Sequence, residues 1–312
     1  MSEVASGRVA PAPPITHREA IAALPAATLA DLRQTSDGPG LKHLAQHVGA
    51  LAVTTLLILY AGSWWVVAPA MLVQGVLLAF LFTLEHECIH ETAFRARSLD
   101  LAVAEVAGFL LLLPPLWFRY FHLAHHRFTQ DPARDPELAT PKPTTWPGYL
   151  RMLTGWGYWR AMAGTVVRCA VGRDVGSFVP ERARARVIAE ARRFLLAYAA
   201  VVALGVALGW SWLLWLWILP ILLGQPFLRA YLMAEHTGLP LVPDMLINSR
   251  TVFTGPLITW LAWSMPNHTA HHAVPNVPFH RLAELSRLLR PHLRSTSEGY
   301  LAFHRELQQR LH

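Results

Sequence analysis

The chain has 312 residues, 53% of them apolar and only 15% charged, where about 25% charged is usual for a soluble domain. Residues 48–84 and 194–228 contain no charged side chain, and each run is long enough for a tight helical hairpin at about 20 residues per bilayer crossing. An ordinary cytosolic globule and a disordered binder are excluded. The net charge of +7 is no nucleic-acid signature, because the basic residues flank apolar segments instead of covering a polar domain.

Residues 1–42 read as a cytosolic N-terminal tail, partly disordered, with one short helix over 18–34 and no signal-peptide core. The first hairpin is expected as helices 47–62 and 69–92, broken at Gly62-Ser63-Trp64-Trp65, where the indoles suit a membrane interface. Segment 101–118 carries a single charge, Glu105. It is expected to lie in or dip into the interface as one helix ended by Pro114-Pro115, without crossing. A second interfacial helix is expected over 149–169 and a third over 251–265. Between them, helices 194–209 and 211–232 form the second hairpin.

Arginines fix the orientation. Arg95, Arg97, Arg119 and Arg127 follow the first hairpin, Arg182 to Arg193 precede the second, and both hairpin tips lack Lys and Arg. By the positive-inside rule the tips face away from the cytosol. The expected fold is therefore all-α: four transmembrane helices in two hairpins, interfacial helices, and a cytosolic histidine-rich domain. The membrane-bound domain would span 43–289, with a cytosolic tail over 290–312 and both termini cytosolic, in a bacterial inner membrane. Cys88 and Cys169 cannot form a disulfide framework.

Nine of the 16 histidines are patterned. His86 and His90 are four apart; His122, His125 and His126 repeat the spacing of His268, His271 and His272; His236 ends the last apolar stretch. Positions i, i+3 and i+4 share a helix face, and the hairpins bring all four groups to one side of the membrane. Clustered imidazoles in an apolar setting cannot all be protonated, and a metal binds the neutral ring. Nitrogen-rich ligation suits Fe, Cu, Zn or Ni, and nine donors exceed what one tetrahedral zinc uses. His86-Glu87-Cys88-Ile89-His90 has the lettering of a zinc-protease motif, but that reading leaves the other two boxes unexplained.

In these boxes the sequence resembles the integral-membrane fatty acid desaturase superfamily, which includes acyl and sphingolipid desaturases, hydroxylases and carotenoid-modifying oxygenases. The likeness is carried by His86-Glu-Cys-Ile-His90, by His122-Leu-Ala-His-His126 running into Arg127-Phe-Thr-Gln-Asp131, and by His268-Thr-Ala-His-His272 with His280 beyond it. It extends over residues 48–289. The resemblance implies a di-iron centre with two iron ions, held by those eight histidines and His236 as an extra ligand from the fourth span. It implies O2 activation and oxidation of an unactivated C–H bond. Some relatives place an Asn four residues before the extra histidine to hold a metal-bound water; here that position is Leu232, with Asn267 or Glu235 as possible substitutes.

Seven further residues are candidates for supporting roles. Glu87 follows a ligand and points off its face, toward a salt bridge or a ligand's outer contact. Asp131 and Asp135, in a turn-rich Asp-Pro repeat, suit either turn capping or acceptance from a ligand ring N–H. His280 lies beyond a Pro-rich bend. Glu91, Arg119 and Arg250 could face the cytosolic entrance, Arg250 being the best of them for a substrate's polar head. No haem-attachment, rubredoxin-like or dinucleotide-binding motif occurs, so electrons would come from a separate ferredoxin, rubredoxin or cytochrome. Desaturation of a lipid or fatty-acyl substrate leads. Hydroxylation of an alkyl, terpenoid or other amphipathic substrate is the alternative, and a metal-binding transporter or sensor the reading from another class.

Overall fold

The computed structural model describes residues 15–312. The elements, in order, are α1 (His17–Ala22), α2 (Ala26–Leu32), α3 (Asp37–Tyr60), α4 (Trp64–His90), α5 (Arg97–Leu111), α6 (Pro115–Phe128), α7 (Trp146–Leu153), α8 (Trp156–Ala170) and α9 (Glu181–Ala207). A π-helical turn (Leu214–Ile218) leads into α10 (Leu219–His236), followed by α11 (Met245–Asn248), α12 (Pro256–Leu261), α13 (His268–Ala273), α14 (Phe279–Leu289) and α15 (Tyr300–Gln308). The described strands are a two-residue parallel pair, β1 (Thr251–Val252) and β2 (Thr296–Ser297). The all-α expectation holds for the architecture.

Among the described residues three helices are long and apolar enough to cross a membrane: Ala26–Tyr60, Trp64–His90 and Leu214–His236. A bent pair, α5 with α6, makes a fourth if counted as one span. The first two helices begin earlier than the sequence suggests: α3 has a polar stem from Asp37 before its apolar part, and α4 starts at Trp64 and carries Pro69 within its first turns. α9 begins at Glu181, so a charged stem precedes its apolar half, and although 27 residues long it is less apolar than the other three.

α4 packs centrally against α3, α5 and α10. It meets α10 at Gly75 and Gly224, where a Cβ on Gly75 would lie 1.9 Å from the Pro220 carbonyl oxygen and one on Gly224 would lie 1.9 Å from that of Gly75. Two glycines face to face let the backbones touch, the usual device of packed membrane helices. That contact sets the separation of the two helix ends that carry His86, His90 and His236.

Several segments depart from expectation. In segment 101–118 the helix ends before Pro114-Pro115 as expected, α5 closing with Leu112 in the left-handed region (φ 60), but a second helix, α6, starts at Pro115 bent by 95°. The tip between them is enclosed, and its backbone groups are satisfied by side chains, as a buried helix end requires. Tyr198 Oη donates to the Phe109 carbonyl at 2.7 Å, Trp217 Nε1 to Leu110 at 2.9 Å, and Tyr158 Oη to Leu111 at 2.8 Å. Glu190 accepts from the Leu116 and Trp117 amides at 2.9 and 3.1 Å, a carboxylate at a helix N-terminus. The expected helix 149–169 breaks at Gly155 into α7 and α8, and the expected helix 18–34 breaks at Pro25 into α1 and α2. Segment 251–265 holds β1 and the six-residue α12. Of the expected tail, residues 1–14 lie outside the described part. Ala20 and Leu32, further along it, are buried beside Ala270 and Val274 of the third histidine segment.

Candidate metal centre

Four helices deliver nine imidazoles to one place. His86 and His90 close α4, His122, His125 and His126 lie on the inner face of α6, His268, His271 and His272 make up half of α13, and His236 closes α10. All are buried except His90, which is partly so. The rings fall into two groups that could each hold an ion: His86, His90, His122, His126 and His271 in one, and His125, His236 and His272 in the other. His268 joins the second, its Nε2 lying 3.0 Å from His236 Nε2.

In the second group the outer ring nitrogens of His125, His236 and His272 have partners, while that of His268 has none. His125 Nδ1 lies 2.9 Å from Asp135 Oδ1, and His236 Nδ1 2.9 Å from the Asn248 carbonyl. His272 Nδ1 lies 3.2 Å from Thr129 Oγ1, whose own proton goes to the His125 carbonyl at 2.8 Å. Donation through Nδ1 leaves each neutral ring with a bare lone pair on Nε2. Yet His125 Nε2 and His236 Nε2 face each other at 3.2 Å, and His272 Nε2 is buried with no partner.

Lone pairs brought together repel unless a cation lies between them. Burial opposes protonation of His125, but the Glu137 carboxylate, 3.8 Å away, and that of Asp135 raise its proton affinity. One proton shared by His125 and His236 would still leave His268 and His272 unmatched. Their pKa values, and that of His271, are pushed far below the ordinary range by burial and then by neighbouring rings. A metal satisfies all of them. Nitrogens bound to one ion at about 2.1 Å and at right angles are about 3.0 Å apart, matching the 3.0 and 3.2 Å here. The first group has the same spacing, with His126 Nε2 at 2.9 Å from His122 Nε2 and 3.0 Å from His271 Nε2.

The sequence matches the family model described as fatty acid desaturase over residues 62–304. The chain belongs to the fatty acid desaturase family. It is 24% identical over 256 residues to a Delta(12)-acyl-lipid-desaturase of Punica granatum, covering 70% of this chain and 64% of the relative. An sn-1 acyl-lipid omega-3 desaturase (ferredoxin) of Synechocystis is 23% identical over 296 residues, covering 89% and 81%. An Oleoyl-12-hydroxylase of Ricinus communis is 27% identical over 255 residues, covering 70% and 64%. The match thus spans somewhat under two-thirds of the length of the plant relatives.

The supporting residues of this desaturase-family protein divide sharply. Asp135 holds His125 and also accepts from the Gln130 and Glu137 amides. Asp131 does not reach a ligand: it caps its own turn at Ala133 and pairs with Arg134. Among the described residues Glu87 has no salt-bridge partner; it accepts from Thr92 Oγ1 at 2.9 Å and the Phe279 amide at 3.2 Å, tying α4 to α14. Glu235 Oε1 lies 3.5 Å from His268 Nδ1, close to the neutral ring but not hydrogen-bonded to it.

Arg250 is not available to a headgroup, because its guanidinium donates to the Ala234 and Thr237 carbonyls and stacks on Phe303. Asn267 Nδ2 donates to the Ser264 carbonyl, a turn contact. His280 is outside both groups, its Nδ1 buried without a partner. Arg119 is spent on Glu91 and the Ile89 carbonyl. Sequence reasoning missed Thr129, the Asn248 carbonyl and Glu137. Glu137 carried a readable cue, standing two residues past Asp135 in the same acidic turn.

Proposed function

We propose that the protein catalyses O2-dependent oxidation of an unactivated C–H bond in a lipid or fatty-acyl substrate, with desaturation as the outcome. The observation that carries this reading is the convergence, at the ends of apolar helices, of nine histidine rings in two groups with facing nitrogens about 3 Å apart, three of them with the opposite ring nitrogen already committed to a partner. Two iron ions would occupy the two groups, and when bound they supply the redox chemistry that activates O2 and takes hydrogen from carbon. The protein's own part is positional. Asp135, Thr129 and the Asn248 carbonyl fix the tautomers of His125, His272 and His236, and the packed helix ends keep water from the rings.

Electrons come from an external protein, a ferredoxin, rubredoxin or cytochrome; the Synechocystis relative names ferredoxin. On this reading the centre and both termini lie on the cytosolic side of a bacterial inner membrane; the arginines flanking the apolar runs support that sidedness, and a basic rim there would attract an acidic donor. His90 and His122 have ring centroids 4.9 Å apart, so the chain between them leaves and returns to one place, which supports a dipping α5–α6 pair and four crossings that include α9. Hydroxylation is the second reading, favoured by the Ricinus hydroxylase, which matches at 27% identity.

The test is incubation of the purified, iron-loaded protein with reduced ferredoxin, O2 and C16–C18 acyl lipids, with products identified by mass spectrometry. A new C=C bond supports desaturation, and C–OH the second reading. A single tightly held zinc with no O2-dependent product overturns both.

A further inference from the structure

Away from the histidines, a second polar cluster sits where α7 and α8 cross α10. Gln225 is fully buried, and Gly155, at the α7–α8 turn with φ +68, presses against it so closely that a Cβ there would lie 2.2 Å from Gln225 Cγ. Arg229, one turn further along α10, donates from Nε to Gln225 Oε1 at 2.9 Å, and its guanidinium stacks over the Tyr158 ring at 4.5 Å. Tyr158 is itself pinned by its bond to Leu111. The cluster is held rigidly, yet it is incomplete: Arg229 Nη2 and Gln225 Nε2 are both enclosed without an acceptor. No acid among the described residues comes within ion-pair distance of Arg229, whereas Arg97, Arg134, Arg193, Arg281 and Arg310 all have one.

Two buried N–H donors carrying one uncompensated positive charge call for an oxygen acceptor, and leaving such donors unmatched is costly. The position says which oxygen. Gln225, Arg229 and His236 fall at i, i+4 and i+11 on one face of α10, so Arg229 precedes the metal-facing histidine by two turns, about 10 Å along the axis. Leu222, Leu223 and Phe227 are exposed apolar residues, while Ala230 is already covered by α15, its carbonyl bonded to His304 Nε2 at 3.1 Å. Arg229 therefore sits at the level where the lipid-facing surface ends. The polar end of an acyl chain reaches that level, and its hydrocarbon does not.

We propose that Arg229 and Gln225 form the site for the head oxygen of the acyl substrate, a carboxylate or an ester carbonyl, and so set which carbon meets the metal centre. This rests on the lipid reading above, and the test is made on binding so that the two can fail separately. Radiolabelled hexadecanoate, methyl hexadecanoate and hexadecane are titrated against the detergent-purified, iron-loaded full chain and its Arg229→Met, Arg229→Lys and Gln225→Leu variants, with iron content measured throughout.

The expected result is hexadecanoate or its methyl ester binding at least tenfold more tightly than hexadecane to the wild type. That ratio falls to below threefold in Arg229→Met, is partly kept in Arg229→Lys and partly lost in Gln225→Leu, with iron unchanged. Acid preferred over ester identifies an anion site; equal binding of the two identifies a carbonyl site. A wild type without the preference, or variants that keep it in full, overturns the proposal even if lipid products form. If Arg229→Met does not fold, the Arg229→Lys and Gln225→Leu ratios decide. Absence of any oxidised lipid from the wild type, with the binding ratios as expected, overturns the lipid-oxidation reading and leaves the head-oxygen site standing.

Discussion

The two halves of the histidine centre are built from the same residue type at the same spacing but are supported differently. Around His125, His236 and His272 the outer nitrogens are held by Asp135, a backbone carbonyl and Thr129. In the other half the outer Nδ1 atoms of His86, His126 and His271 are buried and bonded to nothing. Those rings are fixed by packing on each other, with His86, His90 and His122 centroids 4.4 to 5.0 Å apart. Outer acceptors raise ligand basicity and hold ring orientation, and their loss costs about 10–100-fold in metal affinity. One half is thus organised before metal arrives, and the other is organised by the metal.

The largest effects come from removing a ligand in either half. His125→Ala and His271→Ala should each abolish O2-dependent turnover, a loss of at least about 100-fold, beyond that of an outer partner. Each should lower iron from about two per chain toward one. His236→Ala should also lose activity with partial loss of iron, and full iron with normal turnover there would remove His236 from the set. A chelator sharpens the comparison: iron should leave in two phases, the fast one surviving in His125→Ala and the slow one in His271→Ala. A single phase would mean that the halves are equally held.

Next in size is Asp135→Asn, which keeps the shape but offers His125 a weaker, neutral acceptor. Iron affinity should fall about 10–100-fold, in the slow phase alone. Thr129→Val should lower it less, since one neutral hydroxyl is lost.

The boxes were legible because i, i+3 and i+4 spacing beside apolar runs is a property of side chains alone. The support was legible only where a side chain supplies it. Asn248 acts on His236 through its main-chain carbonyl, and any residue at that position offers the same group. The 95° bend between α5 and α6 was half legible: Pro114-Pro115 marked a stop, but the satisfaction of the tip by Tyr158, Tyr198, Trp217 and Glu190 depends on three remote helices. Arg250 misled because an arginine beside a site looks available until its carbonyl partners are seen.

His43 is a further case. Lying before the first apolar run without a partner box, it reads as dispensable. In the fold its Nε2 bonds the Trp260 carbonyl at 2.8 Å and its ring packs on Trp263 with centroids 4.1 Å apart. His43→Ala should therefore leave iron content unchanged while lowering stability by about 1 kcal/mol, the usual net contribution of one hydrogen bond. Thermal unfolding followed at fixed iron occupancy checks it, and an unchanged midpoint would restore the simpler reading.

The smallest expected effect is the most pointed. Asp131 and Asp135 occupy one loop four residues apart, and the sequence offers both equally as partners for a ligand ring. Asp131 is turned outward to Arg134, which holds its carboxyl below the usual range with help from the Ala133 amide, and an exposed pair of this kind contributes little. Asp131→Asn should change turnover and iron affinity by less than about twofold, against the 10–100-fold expected at Asp135. A loss at position 131 matching that at 135 would mean that the loop acts on the metal as a unit, and the division between held and unheld histidines would then rest on loop shape and not on the single bond from Asp135 to His125.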